Sequence, residues 1–97
     1  MITVIVPCRN ERPHIDRFID GLLAQKTGGL VWEAWLADGM SDDGTRERVI
    51  ENSSRDSRIR LIDNPGRSAA CGLNGALAQS SGEIVIRMDV HTTYADD

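Results

Sequence analysis

The feature that most constrains this chain is an unbroken run of mostly apolar, largely β-branched residues at its start, Ile2-Thr-Val-Ile-Val6, closed by Pro7. Such a run is typical of a β-strand buried on both faces, as in a parallel sheet. From residue 13 to about residue 25 the pattern changes, and apolar side chains recur three and four positions apart, which predicts a helix. The residues on this apolar face are Ile15, Phe18, Ile19, Leu22 and Leu23.

Further strand and helix signals follow along the chain. Strands are predicted over residues 31–37, 58–62 and 83–88. A second helix is predicted to run to about Asn52, with Ser41 or Asp42 as its N-cap. An Ala-rich third helix is predicted from a cap at Ser68 to Leu77. The order is β-α-β-α-β-α-β. Because parallel strands need crossover connections, which helices provide, this order predicts an α/β layered fold with a mainly parallel sheet.

Size and composition limit the kind of protein. Ninety-seven residues, 40% apolar and 27% charged, fit one globular domain. A net charge of −4 and only four aromatic residues argue against nucleic-acid binding. No apolar run approaches the ~20 residues of a membrane span, and the start does not resemble a signal peptide. Two cysteines far apart, Cys8 and Cys71, predict reduced thiols and a cytoplasmic protein.

Polar side chains follow every predicted strand at the point where it ends. They are Asn10 and Glu11 after the first strand, Asp38 after the second, Asn64 after the third, and Asp89 and His91 after the fourth. The carboxyl ends of parallel strands meet at one edge of a sheet, and open α/β sheets bind ligands there. The sequence therefore predicts a ligand site at this edge.

Two of these positions suggest chemistry, and each has a structural alternative. Asp38 could accept hydrogen bonds from a ribose hydroxyl or a base N–H, or it could form an Asx turn or a helix cap in its Asp- and Gly-rich loop. Asp89 and His91 are two positions apart in an extended segment, so both could point at one Mg²⁺ or Mn²⁺ ion. Such an ion would neutralise charge on a departing diphosphate. The alternative is a strand that ends in Asp89, with His91 as a surface imidazole.

Several common motifs are missing from the sequence. No G-x-G-x-x-G follows the first strand, and neither a G-x-x-x-x-G-K-[ST] loop nor a G-x-S-x-G elbow is present. These absences argue against a dinucleotide-binding Rossmann domain, a P-loop NTPase and an α/β-hydrolase.

Three stretches resemble the motifs of family 2 glycosyltransferases, which have the GT-A fold. The first is "VIVPCRNE". The second is "LADGMSDDGT", which is similar to the family's "VDDGSTDGT". The third is "NPGRSAACGLNGALAQSSGEIVIRMDVH", which is similar to the family's Gly loop, Ala-rich helix and strand ending in D-x-D. Their order and spacing match along essentially the whole chain. The last stretch is most similar to the succinoglycan-biosynthesis, ExoA-like branch, in which D-x-H is familiar. The resemblance implies an incomplete GT-A, nucleotide-diphospho-sugar transferase-like fold.

The resemblance also implies roles for residues that bind the nucleotide. Pro7, Asn10 and Glu11 would form the first-strand loop that faces it, with Glu11 a candidate contact to uridine or ribose. Asp38 would bind the base. Arg67 is a candidate contact to a phosphate, although an arginine in a loop is more often simply solvated.

Two departures from the family pattern concern the same site. Asp89 and His91 take the places of the two metal-binding acids, so an imidazole replaces a carboxylate and leaves one less negative charge on the Mg²⁺ or Mn²⁺ ion. Gly39 stands where a second Asp is common, so one nucleotide contact could be missing.

The activity that the resemblance implies is transfer of a sugar from a nucleotide-diphosphate sugar, with a UDP-sugar favoured, to a glycan or lipid-linked acceptor. Residues 1–97 would be the donor-binding half, and the acceptor half with its Asp general base would lie beyond Asp97. The chain alone would then lack a catalytic residue and be inactive, and it could self-associate through an uncovered sheet edge. The parent protein could be held at the cytoplasmic face of a membrane.

Two other functions are compatible with the pattern. A sugar-nucleotide pyrophosphorylase shares the layered fold but expects a "GGxGTR" loop after the first strand, where this chain has Pro7-Cys-Arg-Asn-Glu11. A non-catalytic α/β assembly module would use its acidic edge only for capping and solubility.

Overall fold

The computed structural model describes residues 2–25, 28–66, 74–75 and 84–90. Within these residues it contains four strands and two helices. In chain order they are β1 (Ile2–Cys8), α1 (Arg12–Leu23), β2 (Trp32–Asp38), α2 (Thr45–Arg55), β3 (Ile59–Asp63) and β4 (Ile84–Arg87). The predicted strands and the first two helices are confirmed, with ends that differ by up to three residues.

The four strands form one sheet in the order β3-β2-β1-β4, and every neighbouring pair is parallel. Cys8 lies opposite Asp38 across the β1–β2 pair, and Asp38 lies opposite Asp63 across the β2–β3 pair. On the other side of β1, Ile5 lies opposite Arg87. The carboxyl ends of all four strands therefore meet at one edge, and the predicted α/β layered architecture is confirmed.

The core lies between one face of this sheet and the two helices. The even-numbered residues of β1 and β2 face it, because side chains alternate along a strand. They pack against the apolar face of α1 and against Val49 of α2. Ile5 lies on the opposite face of β1 and is also almost fully buried. The first strand is thus buried on both faces, as its composition predicted.

The predicted N-cap of the second helix is wrong by two to three residues. Helix α2 begins at Thr45, and its N-cap is Gly44, which has a left-handed backbone with φ of 97°. Ser41 does not cap the helix because its hydroxyl is engaged with Asp38 and with the loop after β1. Helix α1 begins at Arg12, with Pro13 in the first turn, where its missing N–H costs nothing.

Part of the predicted third helix lies outside the described residues. Only Asn74 and Gly75 of that segment are described, and both are helical. A Cβ built on Gly75 would lie 3.8 Å from Ile62 Cδ1, so this turn lies near β3. The predicted cap Ser68 and the predicted site residues Arg67 and His91 also fall outside the described residues.

Strand β4 is an edge strand of the described sheet. Its residues Ile84, Val85 and Ile86 are exposed, although all three are apolar. No helix in the described part of the chain is long and apolar enough to cross a membrane.

Candidate functional site

Asp38, the last residue of β2, is fully buried, with 0% of its surface exposed. Both of its carboxylate oxygens accept hydrogen bonds from Ser41: the Ser41 hydroxyl donates to Oδ1 at 2.5 Å and the Ser41 N–H donates to Oδ2 at 3.1 Å. The Asp38 carbonyl accepts the Asn64 N–H at 2.8 Å, so β2 and β3 are tied together where they end. The Asp38 side chain thus bonds its own loop, as the structural alternative expected, but through the N–H three residues on and not through an Asx turn. A contact from Asp38 to the base stays a prediction.

The loop after β1 is fastened to the loop after β2 through Asn10. Asn10 has a left-handed backbone with φ of 52°, which is uncommon outside glycine. Its N–H donates to Ser41 Oγ at 2.9 Å, and its side-chain Oδ1 accepts the Asp42 N–H at 3.0 Å. Asp38, Ser41 and Asn10 therefore form one continuous chain of hydrogen bonds across the carboxyl edge of the sheet.

The start of helix α1 is capped by residues from the start of helix α2. The Glu11 N–H donates to Thr45 Oγ1 at 2.9 Å, and the Arg12 N–H donates to Asp43 Oδ2 at 3.1 Å. The other oxygen of Asp43 accepts the Thr45 N–H at 3.0 Å. Asp43 thus caps both helices at once. Because these N–H groups already have acceptors, they are not free to bind a phosphate, as exposed helix N-termini often do.

The hydrogen bonds around Asp43 also change its acidity. Burial alone would raise the pKa of Asp43, but the Thr45 hydroxyl, the Thr45 N–H and the Arg12 N–H all donate to its carboxylate and hold the pKa below the ordinary value of 3.8. The carboxylate is therefore ionised throughout the neutral range, as a cap for two helices requires.

An ion pair joins the helices that carry these loops. Arg48 of α2 bonds Asp16 of α1 at 2.9 Å, and it also bonds Glu51 of its own helix at 2.6 Å. Gly44 lies beside the Arg12 side chain and has φ of 97°, a left-handed backbone that a residue with a side chain adopts only with strain. The site edge is therefore built on two joined helices.

Asp89 lies just beyond β4, which neighbours β1 on the side opposite β2. The Met88 N–H donates to the Ile5 carbonyl at 3.0 Å, which fixes the backbone next to Asp89. Met88 and Val90 both pack against the core, whereas the Asp89 side chain is 41% exposed. Its Oδ1 accepts a hydrogen bond from Arg87 Nη2 at 3.2 Å.

Asp89 suits a divalent cation in its chemistry. An exposed carboxylate at a fixed backbone position is a ligand that Mg²⁺ and Mn²⁺ accept readily. In the described residues no group of three or more His, Cys, Asp and Glu side chains could hold a metal ion. His91, the predicted second ligand, lies outside the described residues, so the metal pair stays a prediction.

The structure brings five of the predicted site residues to one edge of the sheet. Pro7 is half-buried within β1, opposite Ala37, and Glu11 is half-buried at the start of α1. Asn10, Asp38 and Asp89 lie in the loops and at the strand end described above. Two strand spacings, about 10 Å, separate the strand ends that carry Asp38 and Asp89. Their individual roles toward a ligand remain predictions.

The sequence reasoning missed the roles of Ser41, Asp43 and Thr45. The signal for Asp43 was present, because an Asp two residues before a helix start, with Gly between, can bond the first helical N–H. The signal for Ser41 was the Asp38-x-x-Ser41 spacing, at which an Asp side chain can accept a hydrogen bond from the N–H three residues on, as a helix N-cap does.

Cys8 lies beside this network, at the end of β1. Burial, and then the negative charges of Asp38, Glu11 and Asp43, raise the pKa of its thiol to about 12.

We expect native Cys8 to react with iodoacetamide at pH 8 at least ~100-fold more slowly than in urea, because only the thiolate is nucleophilic. Peptide mapping of a Cys71→Ser variant would measure the rate at Cys8 alone. Equal rates in the folded and unfolded chain would contradict this assignment.

The sequence profile of the family described as "Glycosyl transferase family 2" matches residues 3–97. The chain belongs to glycosyl transferase family 2. The "Succinoglycan biosynthesis protein ExoA" of Rhizobium meliloti is 38% identical over 96 residues, which are 97% of this chain and 29% of that protein. The β-1,3-glucosyltransferase WfgD of Escherichia coli is 34% identical over 92% of this chain and 34% of that protein. This family 2 chain therefore spans about a third of the length of these relatives.

Solved structures agree with the family assignment. The mannosyltransferase PcManGT from Pyrobaculum calidifontis, in complex with GDP-Man and Mn²⁺, superposes with a TM-score of 0.82 at 33% identity, covering 92% of this chain and 27% of that one. TarS 1-349 of S. aureus, in complex with UDP, superposes with a TM-score of 0.73 at 25% identity over 92% of this chain and 27% of that one. The predicted family, its ExoA-like resemblance and the GT-A type of α/β fold are confirmed.

Proposed function

We propose that this chain binds the sugar donor in a family 2 glycosyltransferase, which transfers a sugar from a nucleotide-diphosphate sugar to a glycan or lipid-linked acceptor. The observation that carries the proposal is the arrangement at the carboxyl edge of the sheet. The loop after β1 and the partly exposed Asp89 side chain lie next to each other there, because β1 and β4 are adjacent strands. Its membership of glycosyl transferase family 2 supports the same reading. Two proteins with a similar fold have been solved with such ligands: PcManGT with GDP-Man and Mn²⁺, and TarS with UDP.

In this proposal the nucleotide lies against the turn formed by Pro7, Asn10 and Glu11. The hydrogen bonds that Asn10 makes with Ser41 and Asp42 fix that turn, so little conformational entropy would be lost on binding. Glu11 would accept a hydrogen bond from ribose or the base, and Arg67 would meet a phosphate.

Asp89, with His91, would hold the Mg²⁺ or Mn²⁺ ion beside the diphosphate. An ion bound there supplies positive charge that stabilises the departing nucleoside diphosphate. The backbone of Asp89 is anchored by the Met88 N–H and by the buried Val90, so its carboxylate keeps a fixed position at the edge. A UDP-sugar is the favoured donor.

The acceptor, the general base and the location of the protein are further parts of the proposal. Residues 1–97 would serve as the donor-binding half, and the chain alone would bind the donor without transferring the sugar. The uncovered edge strand β4 would favour self-association of the isolated chain, since exposed strand edges recruit other strands. The parent enzyme would act in the cytoplasm or at the cytoplasmic face of the membrane.

Calorimetric titration of the 97-residue chain with UDP and with GDP, each with and without Mn²⁺, tests the function. We expect binding that depends on Mn²⁺ and is tighter for UDP. Nucleotide binding that is unchanged by EDTA would contradict the metal role. No binding of either nucleotide under any condition would favour the non-catalytic module.

A further inference from the structure

We infer that Asp38 and Ser41 are positioning residues: they set the shape of the turn at residues 9–11, where the nucleotide is proposed to bind, and they do not touch the nucleotide. The inference rests on the proposed function. It departs from the role that the sequence assigned to Asp38, which was direct contact with the base. Ser41 had no assigned role at the ligand.

The first argument is the state of the Asp38 carboxylate. It is fully buried, and Ser41 donates one hydrogen bond to each of its oxygens. A base N–H would have to enter a site that is closed to solvent, and it would meet oxygens that already accept hydrogen bonds at 2.5 and 3.1 Å. Because each oxygen already has a donor within the fold, the carboxylate does not need a contact with the base to be satisfied.

The second argument is direction. Alternation along β2 puts Asp38 on the same face as the buried Leu36, which packs in the core under the two helices. Asp89 lies between Met88 and Val90, which both pack against the core, and its own side chain is 41% exposed, so it points away from that core. The two carboxylates lie at the same edge of the sheet, but the Asp38 side chain points toward the core and the Asp89 side chain points away from it.

The third argument is what Ser41 does with its oxygen. Its hydroxyl proton is donated to Asp38, which orients the oxygen lone pairs toward the Asn10 N–H at 2.9 Å. Asn10 has φ of 52°, a left-handed conformation that Asn tolerates better than most residues, and its hydrogen bonds with Ser41 and Asp42 hold it there. The buried charge of Asp38 therefore fixes Ser41, and Ser41 fixes the turn.

The two roles predict opposite results for a Ser41→Ala variant. If Asp38 contacts the base, removal of the hydroxyl frees one carboxylate oxygen, and the nucleotide binds as well as before or more tightly. If Asp38 acts through Ser41, the Asn10 N–H loses its acceptor, and affinity falls although the carboxylate remains.

The experiment is calorimetric titration of UDP, with Mn²⁺ present, into the wild-type chain and into S41A, S41T and S53A. We expect S41A to weaken binding about tenfold. S41T keeps a hydroxyl and should restore affinity to within about threefold of wild type. S53A is the matched control, because Ser53 also donates its hydroxyl, to the Ile50 carbonyl at 2.7 Å, but on α2 away from the edge; it should bind as wild type does.

A second measurement reports the turn itself. The ¹H–¹⁵N resonance of Asn10 should shift upfield in S41A and return in S41T, with the rest of the spectrum showing a folded chain. Wild-type affinity in S41A would overturn the inference and leave the proposed function standing. If the wild-type chain binds neither UDP nor GDP, the proposed function fails, and the inference fails with it.

Discussion

Replacement of Asp89 by Ala is expected to weaken Mn²⁺-dependent binding of UDP on the order of 100-fold while the chain stays folded. Asp89 offers a carboxylate, with its side chain 41% exposed, just beyond the strand next to β1. It pairs with the exposed Arg87 guanidinium at 3.2 Å, a kind of pair that contributes at most about 1 kcal/mol. Calorimetry at fixed Mn²⁺ would measure the loss of affinity, and thermal unfolding should change by less than about 4 °C.

Asp63→Asn is the matched control for this substitution. Asp63 is also an exposed carboxylate at the carboxyl edge of the sheet, but it ends β3, two strands away from β1. It pairs with Arg46. We expect its variant to bind UDP as wild type does. If both variants lose affinity equally, the effect is one of net charge at the edge, and Asp89 has no particular role.

The sequence predicted the sheet well because its strands carry a strong local signal. The β-branched run in β1 is buried on both faces, and the helical period of α1 matches its buried residues Ile15, Phe18, Ile19 and Leu22. Helix α2 carries a weaker apolar signal than α1, since Val49 is the one apolar residue among its buried positions. Two of its three buried residues, Thr45 and Asn52, are polar, and each finds a hydrogen bond within the fold.

The hydrogen bonds of the site could not be predicted from the sequence in the same way. Ser41, Asp42 and Asp43 are adjacent residues of similar capping ability, and local preference does not choose among them. The choice depends on the loop after β1, about thirty positions away. The Asn10 N–H donates to the hydroxyl oxygen of Ser41, and the Arg12 N–H donates to the carboxylate of Asp43. The edge was therefore predictable, but the partners on it depend on how the two loops meet.

Asp43 gives the second large effect, on stability. We expect Asp43→Ala to lower the free energy of unfolding by about 2 kcal/mol, because one carboxylate caps both α1 and α2. For a domain of this size the midpoint of thermal unfolding should fall by roughly 8–16 °C. Circular dichroism would measure the shift. Asp42→Ala is the control, since the fold uses the Asp42 N–H, which the variant keeps; its midpoint should stay near that of wild type.

The pH dependence of this difference follows from the lowered pKa of Asp43. A carboxyl group whose pKa is lower in the folded than in the unfolded chain stabilises the fold above its unfolded pKa. As the pH falls below about 4, the unfolded chain takes up the proton first, and the stabilisation is lost as the pH passes through the lower folded pKa. The gap in stability between wild type and the Asp43→Ala variant should therefore be constant from pH 5 to 8 and narrow below pH 4. A gap that stays constant down to pH 2 would mean that the carboxylate charge does not contribute, and that the helices start where they do for reasons other than this shared cap.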